Sequence, residues 1–107
     1  MKIGILLNTN NPETVWNAFR FGVTALTNKH NVKIFLLGRG VEIEDIHNEK
    51  FDVTTQVQRF LDTEGEILAC GTCLKIRKKS ETKMCPLSTM QNLVEIVESS
   101  DKVITFS

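Results

Sequence analysis

Short, almost wholly apolar runs alternate strictly with longer segments of helical periodicity, and this alternation constrains the fold more than any other feature. "KIGILL" from Lys2, "NVKIFLL" from Asn31, "EILA" from Glu66 and "KVITF" from Lys102 carry few polar residues, as strands buried on both faces do. Between the first two, Asn11-Pro12-Glu13 supplies a cap residue, a proline at the first helical position and an acid in the first turn. Val15, Phe19, Val23 and Leu26 then recur at helical spacing as far as Asn28, and Trp16 and Phe21 lie off that stripe, spare apolar surface that suggests a subunit interface. Gly38-Arg39-Gly40 reads as a tight turn closing the second strand, with a looser acidic segment behind it. Val53, Val57, Phe60 and Leu61 mark a second helix ending near Gly65, a glycine suited to a C-terminal cap. A third helix is expected after Gly71. Pro86 is expected to open the last one, with Leu87, Met90, Val94 and Val97 facing one side.

Strand and helix in strict succession require right-handed crossovers. The expected fold is therefore α/β: a small, doubly wound, mostly parallel sheet with helices on both faces, a three-layer domain of the flavodoxin or Rossmann kind. With 107 residues the chain forms one domain, residues 1–107. In such sheets ligands bind beyond the carboxyl ends of the strands, and Cys70 stands at one of them.

Thirteen basic residues balance thirteen acidic ones, which gives no electrostatic reason to expect nucleic acid as a partner. No apolar run approaches the roughly 20 residues that span a bilayer, and the first residues lack the features of a secretory signal. A cytoplasmic protein is expected, in a compartment that keeps thiols reduced. Three cysteines there are better suited to reactive, metal-binding or inert roles than to a disulfide framework.

The stretch "EILACGTCLKIRKK" carries the chemistry. A cysteine at a strand end, followed at once by a helix, has unpaired backbone N–H groups near its sulfur, and such surroundings commonly favour a thiolate. Thr72 is a candidate cap, and Lys75, Arg77, Lys78 and Lys79 add positive charge. Cys70 is the candidate nucleophile. Cys73 is either its partner or a core thiol on the first helical turn, since free cysteine often packs as a small hydrophobe. Cys85, ahead of Pro86, is a candidate accessory thiol at another helix start, or is simply buried. Arg39 is a candidate anion contact, and Lys75 a second accessory group. A structural zinc site needs four ligands, and His30 and His47 stand at no ligand-like spacing from the thiols, so no metal is expected. No dinucleotide fingerprint, serine triad or carboxylate pair is present, and no organic cofactor is expected.

With those residues in view, the chain resembles the DsrE/DsrF-like family, which includes sulfur-relay subunits of the TusD type. The resemblance covers nearly the whole chain: "KIGILL", "FLLGRGV", the third strand leading into "ACGTCLKIR", and the ending "CPLSTMQNLVEIVESSDKVITF". "ACGTCLKIR" and "SSDKVITF" are its most specific parts. It implies a doubly wound subunit that assembles into trimers or hexamers. For some members it also implies a cysteine that carries sulfur as a persulfide between donor and acceptor proteins, and that cysteine falls on Cys70. A second cysteine at the place of Cys73 occurs in a subset of short, often archaeal relatives of undefined activity. Two other readings stay open beside this one: a CxxC thiol–disulfide oxidoreductase, and a non-catalytic oligomeric binding subunit. Against the first, a thioredoxin-like fold would need a cis-proline facing the motif, and Pro12 and Pro86 both read as first-turn helix residues.

Overall fold

The computed structural model describes residues 1–107. β1 (Lys2–Leu7), α1 (Pro12–Thr27) and β2 (Asn31–Leu36) are followed by a 3-10 helix (Gly38–Asp45). Then come α2 (Val53–Asp62), β3 (Glu66–Cys70), α3 (Gly71–Ile76), β4 (Leu87–Ser88), α4 (Met90–Ser99) and β5 (Lys102–Phe106). All strands are parallel, in the order β4-β3-β2-β1-β5. The expected doubly wound α/β domain is what forms. No helix is long and apolar enough to cross a membrane.

Strand alternation divides the sheet into two unequal faces. Ile3, Ile5, Leu7, Val32, Ile34, Leu36, Ile67 and Ala69 point to one side, where α1 and α2 bring Val15, Phe19, Val57 and Phe60 into a core of 20 buried residues. Phe35 and Cys70 point to the other side, where α4 supplies Ile96 and these three form the buried hydrophobic cluster. The chain steps outward from β1 to β4 with its crossovers on the first face, then returns through α4 to β5 on the second. Right-handed connections dictate that split.

The caps work largely as read. Asn11 accepts the Thr14 N–H at 3.0 Å ahead of Pro12, and Asp52 accepts that of Thr55 at 3.1 Å to start α2. Past α2 the left-handed residue is Glu64, with φ of 72°. Gly65 is required for another reason: a Cβ there would stand 2.4 Å from the Phe60 ring.

Four expectations are corrected. Gly38-Arg39-Gly40 opens the 3-10 helix instead of making a simple turn. Pro86 does not start a helix: its carbonyl accepts the Ala69 N–H at 2.8 Å, so the chain first adds Leu87–Ser88 to the sheet edge. The helix begins at Met90, where Thr89 and Asn92 cap each other. That delay sets its register, so Leu87, Met90, Val94 and Val97 are roughly half exposed while Ile96 faces the sheet. Trp16, expected to leave spare apolar surface on α1, packs on Phe51 with 5.2 Å between centroids, and Arg20 lies 4.2 Å over its ring.

Candidate functional site

β3 ends at Cys70, and α3 starts on the next residue. Cys70 itself occupies the N-cap position, without a side-chain capping bond, and Thr72 lies inside the helix instead of capping it. The Cys70 side chain is on the α4 face of the sheet beside Phe35 and Ile96, and only 2% of the residue is exposed. It forms part of the wall of a cleft of about 430 Å³ with Lys75, Leu87, Ser88, Thr89 and Met90. Gly71 lets α3 approach β4 there, since a Cβ on it would lie 3.1 Å from the Ser88 carbonyl oxygen.

Cys73, on the first turn of α3, is half-buried where the two cores meet. Its sulfur accepts the backbone N–H of Gly38 at 3.3 Å. Gly38 has φ of +55°, and a Cβ on it would stand 2.5 Å from the Asn8 side-chain oxygen, so the position is reserved for glycine. Burial pushes the Cys73 thiol above its ordinary range and the neighbouring Cys70 thiol adds to this, while the Gly38 N–H and the charge of Arg77 pull the other way.

Arg77, which the sequence offers only as added positive charge, has a structural place in the site. Its Nε donates to Glu42 Oε2 at 2.6 Å and its Nη1 to the Cys73 carbonyl at 3.1 Å. Glu42, which the sequence does not single out, accepts from Asn10 Nδ2 at 3.0 Å as well. Its carboxyl is held below the usual range, chiefly by the bond from Arg77. Lys79 pairs with Asp45 at 2.5 Å. Two members of the basic cluster therefore fasten α3 and the turn after it to the 3-10 helix, and only the four-residue spacing of Cys73 and Arg77 hinted at this.

The remaining candidates are dispersed. Lys75 is exposed at the Cys70 cleft. Arg39 is exposed on the 3-10 helix and makes no bond to either sulfur; the contact comes from the backbone of its neighbour Gly38. Cys85 belongs to the large core on the opposite face from Cys70, with its sulfur 3.8 Å from the Val41 carbonyl. Burial first, then Glu44, pushes its thiol up to about 12. The fold thus brings Cys70 and Cys73 together and keeps Cys85 apart. No three metal-ligating side chains gather at one point, and His30 instead bonds the amino terminus at 2.9 Å.

A small parallel α/β domain with two thiols at the carboxyl end of one strand defines a recognisable class. The chain belongs to the DsrE/DsrF-like family, whose match runs over residues 1–106. It is 35% identical over 100 residues to the uncharacterized protein MK0008 of Methanopyrus kandleri, covering 88% of this chain and 83% of that one. It is 31% identical over 100 residues to the uncharacterized protein MJ0989 of Methanocaldococcus jannaschii, covering 88% of each. Among solved structures, the ychN protein from E. coli superposes with a TM-score of 0.83 at 19% identity, covering 99% of this chain and all of its own. The conserved protein BT1422 from Bacteroides thetaiotaomicron gives 0.73 at 20% identity, covering 98% of this chain and 94% of its own. These two likenesses establish the fold. The family supports a sulfur-relay type of protein.

Proposed function

We propose that this protein carries sulfur as a persulfide on Cys70 between a donor and an acceptor protein, as a sulfurtransferase-type carrier in sulfur relay or in intracellular sulfur oxidation or reduction. The observation that carries this reading is the position of Cys70: at the sheet's carboxyl edge, in the wall of a cleft, one helical turn from a second thiol. Membership of the DsrE/DsrF-like family supports it.

The chemistry needs neither metal nor organic cofactor. The Cys70 thiolate attacks the outer sulfur of the donor's persulfide, a Cys70–S–SH forms, and the donor leaves as a thiolate. The acceptor's thiolate later takes the outer sulfur by the same displacement. A recessed Cys70 favours a partner that reaches in with a small or extended thiol-bearing group over one that offers a flat surface. Lys75, exposed at the cleft, is suited to attract the anionic sulfur species. This reading includes a homotrimer or homohexamer in the cytoplasm, where the thiols stay reduced.

Incubation with a cysteine desulfurase and cysteine tests it. The peptide containing Cys70 should first gain about 32 Da, one sulfur atom, and acidification should slow the gain because the thiolate is the nucleophile. Cys70→Ser should abolish the adduct, because a hydroxyl is not a comparable nucleophile. The presence of a second thiol favours one competing reading. If no donor ever loads the protein while Cys70 and Cys73 cycle readily with thioredoxin, it is a thiol–disulfide oxidoreductase. A function indifferent to Cys70→Ser would instead mark a non-catalytic binding subunit.

A further inference from the structure

We infer that Cys73 is a resolving thiol, positioned by the backbone N–H of Gly38, that attacks the Cys70 persulfide and releases its outer sulfur as sulfide. The inference rests on the persulfide reading and gives the outer sulfur a second fate, release as sulfide where no acceptor thiol takes it first.

A simple carrier needs one thiol and has no use for a donor aimed at a second sulfur. Here such a donor is built in. Gly38 N–H points at the Cys73 sulfur from 35 residues upstream, at 3.3 Å. It does so in a left-handed conformation, with Asn8 packed where a side chain would grow. The Arg77 bonds to Glu42 and to the Cys73 carbonyl tie the 3-10 helix to α3 and hold donor and acceptor in register. A hydrogen-bond donor at sulfur stabilises negative charge there. Cys73 carries that charge when its thiol ionises to attack. It carries it again when an external dithiol later expels it from the disulfide.

The step balances. Cys73 attacks the inner sulfur of Cys70–S–SH, the bond to the outer sulfur breaks, and Cys70–S–S–Cys73 and hydrogen sulfide result: the outer sulfur is reduced, the Cys73 sulfur is oxidised, the Cys70 sulfur stays at the same level, and the Cys73 proton leaves with the sulfide. The cycle closes when an external dithiol, of the thioredoxin or dithiothreitol class, reduces the disulfide. Burial keeps Cys73 mostly as the neutral thiol at rest, which suits a second nucleophile that must not load first.

The experiment loads reduced protein with glutathione persulfide, removes small molecules by gel filtration, and follows sulfide and intact mass without reductant. Wild type should release one equivalent of sulfide and finish about 2 Da below the reduced protein, as the disulfide. Cys73→Ser keeps an acceptor for the Gly38 N–H, so the fold contact survives, but it cannot form the disulfide. It should hold the adduct of about 32 Da and release no sulfide. Gly38→Ala should move the pH midpoint of release upward, since the donor that opposes burial is displaced. Where that variant folds poorly, pairing it with Asn8→Ala removes the side chain that the new Cβ would strike. A wild type that holds its adduct as long as Cys73→Ser overturns the resolving role and leaves the persulfide reading standing. Failure of Cys73→Ser to load at all overturns both. An unmoved midpoint in the glycine variant removes Gly38 from the mechanism.

Discussion

At the scale of residues, the three thiols have unlike surroundings. Cys85 sits in the large core, pushed up to about 12, and Cys73 is raised mainly by its own burial. The thiolate is the form that alkylates, so Cys85 should be the slowest of the three thiols to react with iodoacetamide as pH rises. Peptide mapping across a pH series checks the order, and a fastest Cys85 would move the site elsewhere. The same shift acts on stability. Between the ordinary thiol value of 9.0 and about 12, the unfolded chain releases the Cys85 proton while the native protein keeps it, so stability present below that window is lost as pH rises through it. Cys70 was legible because a strand end and a helix start fall on it in sequence. The Gly38 contact was not, since nothing local relates two residues 35 positions apart. Cys85 beside a proline looked like a helix start, and the chain spent that proline on a sheet edge instead.

The elements that were easy to read are those whose local pattern and tertiary role agree. β1, β2 and β3 are continuous apolar runs because both of their faces are covered, and α1 and α2 show clear stripes because each has one dry side. The 3-10 helix shows no stripe in "GRGVEIED", and β4 is only two residues long. Both are held by contacts with distant backbone, which sequence periodicity does not record. Gly40 makes this concrete. A Cβ there would stand 2.1 Å from the Leu7 carbonyl oxygen, which already accepts the Leu37 N–H at 3.0 Å and cannot swing away. Gly40→Ala should therefore destabilise the fold by about 1–3 kcal/mol, the range of overpacked sites. Arg39→Ala next to it, on an exposed side chain, should stay within about 0.5 kcal/mol. Urea unfolding of the two variants gives the comparison, and equal midpoints would mean that the 3-10 helix is not braced on β1.

On the scale of the whole molecule, the two faces of the sheet are unequally covered. One side has a cluster of 20 buried hydrophobic residues, whereas the other has one of three under the single helix α4, leaving Leu6, Leu37, Leu68 and Leu93 half-covered. Leu87 at 59% exposure, Met90 at 54%, Val94 at 48%, Val97 at 47% and Val103 at 40% extend this surface outward. So much apolar side chain on one flank of a small domain is characteristic of an interface. A second copy of this chain is the occupant that the proposed trimer or hexamer calls for. The sequence suggests an interface on α1 through Trp16 and Phe21, but Trp16 packs against Phe51, so the larger apolar flank is that of α4. Leu87 and Met90 belong both to this flank and to the Cys70 cleft, so packing there would narrow the opening to the thiol and couple assembly to access. Val94→Asp lies outside the cleft and should convert the assembly to the 12.1 kDa monomer at micromolar concentration, while Cys70 becomes faster to alkylate with small reagents. Sedimentation with parallel alkylation rates tests both halves. A wild type that already sediments as a monomer would reject the interface, and a variant that dissociates without any change at Cys70 would place the contact away from the cleft.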